Sequence, residues 1–260
     1  MLFSVCILGG IPMKNFKLQH LPFFTLAAGL LGIILQLILR RSGVDEKGLL
    51  VTGHFAGIAL YILSVLVLAG LLLAIRSLQN ISRYSRLFQP SVYAFAGCIL
   101  AAVGVVISAI LGRLELQDTV TLFVTVFGAV AAVCLVFIGI HRLKGKQPHY
   151  LFHAGVTVYL MFQLVALYRH WSPEPQLLLY FFPLLAAVFL MIAAYQAACL
   201  DAMHGSRRWY VFCNQAAVFF CCLSLFSDYW LFYLAMGLWA GTNLCSLQAG
   251  KSRPAEHKEG

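Results

Sequence analysis

Four residues in the middle of the chain have types and spacing that could do chemistry. His149 and His153 stand four apart at the start of one long apolar run. Asp201 and His204 stand three apart at the end of the next. In a helix, positions i and i+4 share a face. The segment between the two runs, 171–176, is short, so the runs should lie antiparallel and bring the four side chains to one end. Imidazole and carboxylate suit Zn²⁺ or a similar metal, and a metal with an open position activates water for hydrolysis. The competing reading is plainer: residues just outside a membrane span face lipid headgroups, and Asp201 pairs with Arg207 or Arg208 nearby. No cofactor is required by the sequence, and Zn²⁺ is the candidate it offers.

A second group gathers at the opposite ends of the runs. Arg40, Arg41, His54, Arg169, His170 and Glu174 are candidates for an outer vestibule of mixed charge, with Asp228 beside them. The alternative is that these residues only mark span ends. A third group is polar but uncharged and lies within the runs: Gln36, Gln163, Gln196, Asn214, Gln215, Thr242 and Asn243. Such groups usually face a bundle interior and bond across helices. No Asp, Glu, Lys or Arg lies deep in any run, which argues against a proton-coupled pump.

The His149/His153 spacing resembles that of the membrane hydrolase and receptor superfamily that includes alkaline ceramidases and adiponectin-type receptors. That resemblance implies a third histidine in a serine-containing motif on an early span and an aspartate on the next. Here the early-span histidine is His54, near the outer face, so the resemblance covers one pair of residues.

The elements that must position these groups follow from composition. Hydrophobic residues make up 62% of the 260 and charged residues 10%, against about 25% charged in soluble domains. Apolar runs fall at about 21–39, 53–75, 91–112, 119–140, 150–168, 177–200, 209–226 and 229–247. Each is near the ~20 residues a membrane-spanning helix requires. None alternates apolar with polar as barrel strands do. The expected fold class is therefore all-α, a polytopic bundle of about eight transmembrane helices, in one domain over 13–248. Residues 1–12 read as an extension, with Met13 the expected start of translation, and 249–260 as a polar tail.

With eight spans, 13 of the 18 Lys and Arg fall on the side of the two termini. The positive-inside rule then places both termini inside. The expected location is the plasma membrane, as a bacterial cytoplasmic-membrane protein. The net charge of +9 is explained in the same way; the basic residues are dispersed over short loops, so nucleic acid is not an expected partner. The eight cysteines include no CxxC and read as small apolar residues. Pro183 is expected inside the sixth span, as a kink. The last two spans, joined through Ser227 and Asp228, form either two crossings or a re-entrant pair.

Gly53 and Gly57, and Gly237 and Gly241, are GxxxG pairs, and Gly104, Ser108 and Gly112 share a face of the third span. Small residues let helix backbones approach, within the chain or in a homodimer. A weak correspondence between Gln36–Arg40–Arg41 and Gln163–Arg169–His170 raises a four-plus-four repeat. No loop is long enough for a soluble catalytic domain. The leading expectation is a non-catalytic membrane-embedded component, accessory, sensory or scaffolding, with lipid and a membrane-protein partner as its surroundings. The alternatives are a permease for a small neutral or amphipathic solute and a metal-dependent membrane hydrolase.

Overall fold

The computed structural model describes residues 21–43, 54–76, 78, 88, 90–115, 119–172 and 180–247. The proposed extension, the tail and Glu174 lie outside them. Among the described residues eight α-helices follow in order: α1 Leu21–Ser42, α2 Phe55–Arg76, α3 Val92–Glu115, α4 Thr119–Leu143, α5 Tyr150–Trp171, α6 Phe181–Asp201, α7 Arg207–Leu223 and α8 Trp230–Cys245. A 3-10 turn, Ser224–Phe226, joins the last two. Seven of the helical segments are long and apolar enough to cross a bilayer. The side chains they expose are large and apolar, among them Phe23, Val65, Leu66 and Ile62, as a lipid-facing surface requires. This is a multi-pass helical membrane bundle.

α8 has 16 residues, about 24 Å at 1.5 Å per residue, somewhat less than a hydrocarbon core of about 30 Å. It nevertheless runs from one end of the bundle to the other. Tyr229, just before it, packs on His170 and Trp171 at the C-terminal end of α5. Leu247, just after it, bridges to Phe88, which sits on Arg142 at the C-terminal end of α4. The last two helices are therefore two end-to-end passes and not a re-entrant pair. The end bearing Arg40, His170 and Asp228 is called outer below, and the end bearing Arg142, His153 and Asp201 inner, after the charge asymmetry of the sequence.

Helices α3 to α8 form a closed ring in which each packs on the next and α8 returns to α3. α1 and α2 lie outside it, against each other and against α7. This makes α7 the central helix: 78% of its candidate span is buried, against 28% for α1 and α2. Burial on all sides explains why α7 can carry Asn214 and Gln215 in a membrane protein. A polar side chain in lipid needs a partner inside the protein, and Thr25 of α1 donates to Gln215 Oε1 at 2.5 Å. A four-plus-four repeat would place α1 and α5 alike, whereas α1 is peripheral and α5 belongs to the ring.

The α3–α8 contact uses the small-residue face. A Cβ at Gly104 would collide with Ala235, and one at Gly97 with Thr242. The Gly237–Gly241 face of α8 is likewise packed within the chain, against Cys221 and Val218 of α7. Gly57 faces Leu39, and Gly53 lies outside the described residues. Pro183 is not a mid-helix kink. It is the third residue of α6, where the backbone N–H has no helical acceptor to lose. Trp171, at the outer end of α5, is buried and not part of an interfacial aromatic belt: it is 1% exposed and stacks on Tyr180 with ring centroids 4.5 Å apart. Trp209 and Trp230 are each 51% exposed, as a belt would have them.

Candidate functional site

The inner cluster is built by two helix ends of one design. α4 ends with Lys146 N–H donating to His141 O (2.9 Å) and Gly145 N–H to Arg142 O (3.3 Å). α6 ends with His204 N–H donating to Cys199 O (2.9 Å) and Met203 N–H to Leu200 O (3.1 Å). Both are C-terminal caps that turn the chain through a left-handed residue. That residue is Gly145 (φ 64°) in the first and Met203 (φ 63°) in the second. The turns deliver Pro148–His149 to the start of α5 and Ser206 to the start of α7.

The turn after α4 sets the fate of the predicted ligands. His149 is the N-cap of α5, with φ −72° and ψ 135°. It is therefore not on the helix, and the shared face expected for His149 and His153 does not form. Its Nδ1 instead accepts the Leu151 N–H at 3.4 Å, and the side chain is exposed. His204 is also exposed, its Nδ1 2.6 Å from Ala202 O. His153 and Asp201 do meet: Nδ1 lies 2.5 Å from Oδ2, with side chains 0% and 1% exposed. Gln147 also donates to the backbone carbonyl of Asp201. Of the four expected ligands the structure joins two, and among the described residues no group of three or more His, Cys, Asp or Glu is placed to hold a metal. Asp201 turns to His153, not to Arg207 or Arg208; Arg208 donates through Nε to Leu78 O at 2.6 Å.

Two further residues of the inner end, Arg142 and Phe88, fall between the apolar runs of the sequence. Arg142 is 1% exposed, and its guanidinium carbon sits 3.5 Å from the centre of the Phe88 ring, a cation–π arrangement. Phe88 packs edge-on to Tyr210, and Trp239 lies over His153 with centroids 6.5 Å apart. A signal for Arg142 was present. It continues the buried face of α4 through Ala131, Leu135 and Ile138. No such pattern announces Phe88, which comes from a connection.

At the outer end the expected vestibule is divided. Arg169 and His170 line a recess of about 260 Å³ between α3, α4 and α5, with Ser108, Thr121 and Gln163 in its wall. Arg40 lines a second, of about 330 Å³, with Gln36, Tyr180, Ser227 and Asp228. His54 belongs to neither: it caps α2 through Ala56 N–H (3.3 Å), and its Nε2 lies 3.3 Å from Ser42 Oγ. Arg41 is exposed. The intramembrane amides are dispersed too. Gln215 borders a third, apolar groove between α1, α7 and α8, and Asn214 and Asn243 are buried in the core.

Buried aromatic side chains run along the interior, with Phe232 and Tyr233 near the outer start of α8, Tyr159 midway along α5 and Trp239 beside His153, each 1% exposed or less. Tyr233 donates to Pro183 O at 3.0 Å.

Comparison with protein-family models, with curated proteins and with solved structures found no match to this chain.

Proposed function

We propose that this protein is a non-catalytic, multi-pass component of a bacterial cytoplasmic membrane, of the sensory or accessory kind, with both termini inside. The observation that supports this reading is the difference between the two ends of the bundle. Polar recesses stand at the outer end, buried aromatic side chains pack the interior, and a desolvated His153–Asp201 pair closes the inner end. Such a molecule can hold a small polar group at one face while α5 and α6 stay latched at the other. Gln163, Gln36 and Gln215 line three different recesses, whereas a single solute path would gather them into one.

The second reading is a permease, because recesses at one end and closure at the other are also the shape of an outward-open carrier. Proteoliposomes containing the purified full-length chain separate the two. The accessory reading expects no counterflow of amino acids, sugars or choline above empty vesicles, and a membrane-protein partner at fixed stoichiometry after mild-detergent purification. Saturable counterflow lost on Arg40→Ala or Gln163→Ala would replace it with the permease.

A further inference from the structure

The recess between α1, α6 and the turn that joins α7 to α8 has an unusual balance of charge. Arg40 and Asp228 line the same space of about 330 Å³, yet among the described residues no ion pair joins the two. The Arg40 guanidinium lies instead 5.7 Å from the centre of the Phe226 ring. Opposite charges that share a cavity without touching leave room for a molecule that satisfies both.

The neutral polar groups sharpen the choice. Gln36 is 5% exposed, and its side-chain carbonyl oxygen has no hydrogen-bond partner among the described residues. A buried acceptor of this kind calls for a donor. Ser227 spends its hydroxyl proton on Ser224 O at 2.7 Å, so its oxygen is left as an acceptor. With the Asp228 carboxylate, the recess holds three acceptors and one cation. Three acceptors match the three N–H donors of a primary ammonium. One guanidinium matches a carboxylate or a phosphate. Tyr180, Pro183 and Leu223 complete the wall with apolar surface, and the volume is at the small end of ligand pockets, roughly 300–1,000 Å³.

We propose that this recess binds a small zwitterion carrying a primary ammonium and an anionic group. The ammonium is held by Gln36, Ser227 and Asp228, and the anion by Arg40. So placed, the ligand ties α1 to the α7–α8 turn. The inference rests on the reading of the outer end as a ligand-holding face, and it names the ligand class. Two sources supply this chemistry, a free amino acid and the ethanolamine phosphate headgroup of a lipid.

The test uses the full-length chain in detergent and in nanodiscs, with thermal unfolding as the readout. In detergent, L-alanine or O-phosphoethanolamine should raise Tm saturably, while acetate and choline should not. Asp228→Asn should weaken that response at least tenfold. Arg40→Gln should do the same for the zwitterions and spare ethanolamine. Both side chains are exposed, so neither variant threatens the fold. A response to the soluble zwitterions identifies a free solute. A rise confined to phosphatidylethanolamine nanodiscs over phosphatidylcholine ones, lost in both variants, identifies the lipid headgroup. No response in either format, or one equal in the parent and both variants, overturns the proposal. The accessory reading has its own test in the absence of solute flux, so it can stand while the zwitterion site fails.

Discussion

His153 Nδ1 and Asp201 Oδ2 lie 2.5 Å apart, both out of reach of solvent, and so fasten the start of α5 to the end of α6. His153 Nε2 and Asp201 Oδ1 have no hydrogen-bond partner among the described residues. The contact therefore does more as a pair than either member can alone. Removing one partner of a buried pair leaves an uncompensated polar group, at a cost of about 3–5 kcal/mol, whereas replacing both by apolar groups is often close to neutral. His153→Leu and Asp201→Leu should each lower stability in detergent by about 3 kcal/mol. The double variant should recover much of the loss. Additive losses in that cycle, measured by denaturant or thermal unfolding, would show that the two residues act separately.

Met203 and Gly145 occupy equivalent places in the two inner caps, both near φ +64°. Glycine adopts this conformation freely, and other residues do so at a cost of about 1–2 kcal/mol. Met203 is half exposed, at 52%, so little packing is lost with its side chain. Met203→Gly should raise stability by about 1 kcal/mol. Two residues on, Gly205→Ala should do the opposite, because a Cβ there would lie 2.5 Å from Leu200 N and 2.8 Å from its Cα. Thermal unfolding of the two variants side by side checks both signs. A lower Tm for Met203→Gly would contradict the account of this cap.

The metal reading of the inner histidines makes a prediction of opposite direction. His149 and His204 are exposed, each bonded to its own turn. The double variant His149→Ala/His204→Ala should leave the metal content of the purified protein unchanged and cost about 1 kcal/mol or less, the worth of one helix cap. About one equivalent of zinc in the parent, lost in this variant, would restore the four-ligand site.

What could be read from the sequence, and what could not, divides along physical lines. The eight helices were legible because lipid demands long apolar runs, and their ends because Arg, Gly and Pro punctuate them. The meeting of His153 with Asp201 was legible too, since a short connection forces α5 and α6 antiparallel. The error at His149 was one of phase: helical spacing was extended across an N-cap, and the cap residue leaves the helix. Pro183 was misplaced for the converse reason, because the apolar run began before the helix did. Which helix sits at the centre was not legible in hydropathy, although the amides of α7 hinted at it. The division of the outer charges between two recesses depends on which helices are neighbours in the ring, and no local pattern carries that.

The last prediction turns on two glycines of one helix. Gly104 and Gly112 of α3 are eight residues apart and look equivalent in sequence. In the ring they are not. A Cβ at Gly104 would collide with Ala235 of α8, and Leu231 O stands 3.8 Å off. Among the described residues nothing lies within 4 Å of a Cβ at Gly112, which borders the outer recess. The α3–α8 contact closes the ring, and a larger residue at Gly104 must push the two helices apart along their length. Overpacking a close contact costs about 1–3 kcal/mol, and a helix pair that relies on small residues cannot yield without losing its packing. Gly104→Val should therefore lower stability by about 2–3 kcal/mol. Gly112→Val should change it by about 0.5 kcal/mol or less, while narrowing the recess that Gln163 and His170 line. Thermal unfolding of both variants in the same detergent reads the difference. Equal losses would mean that α3 and α8 do not close the ring through Gly104.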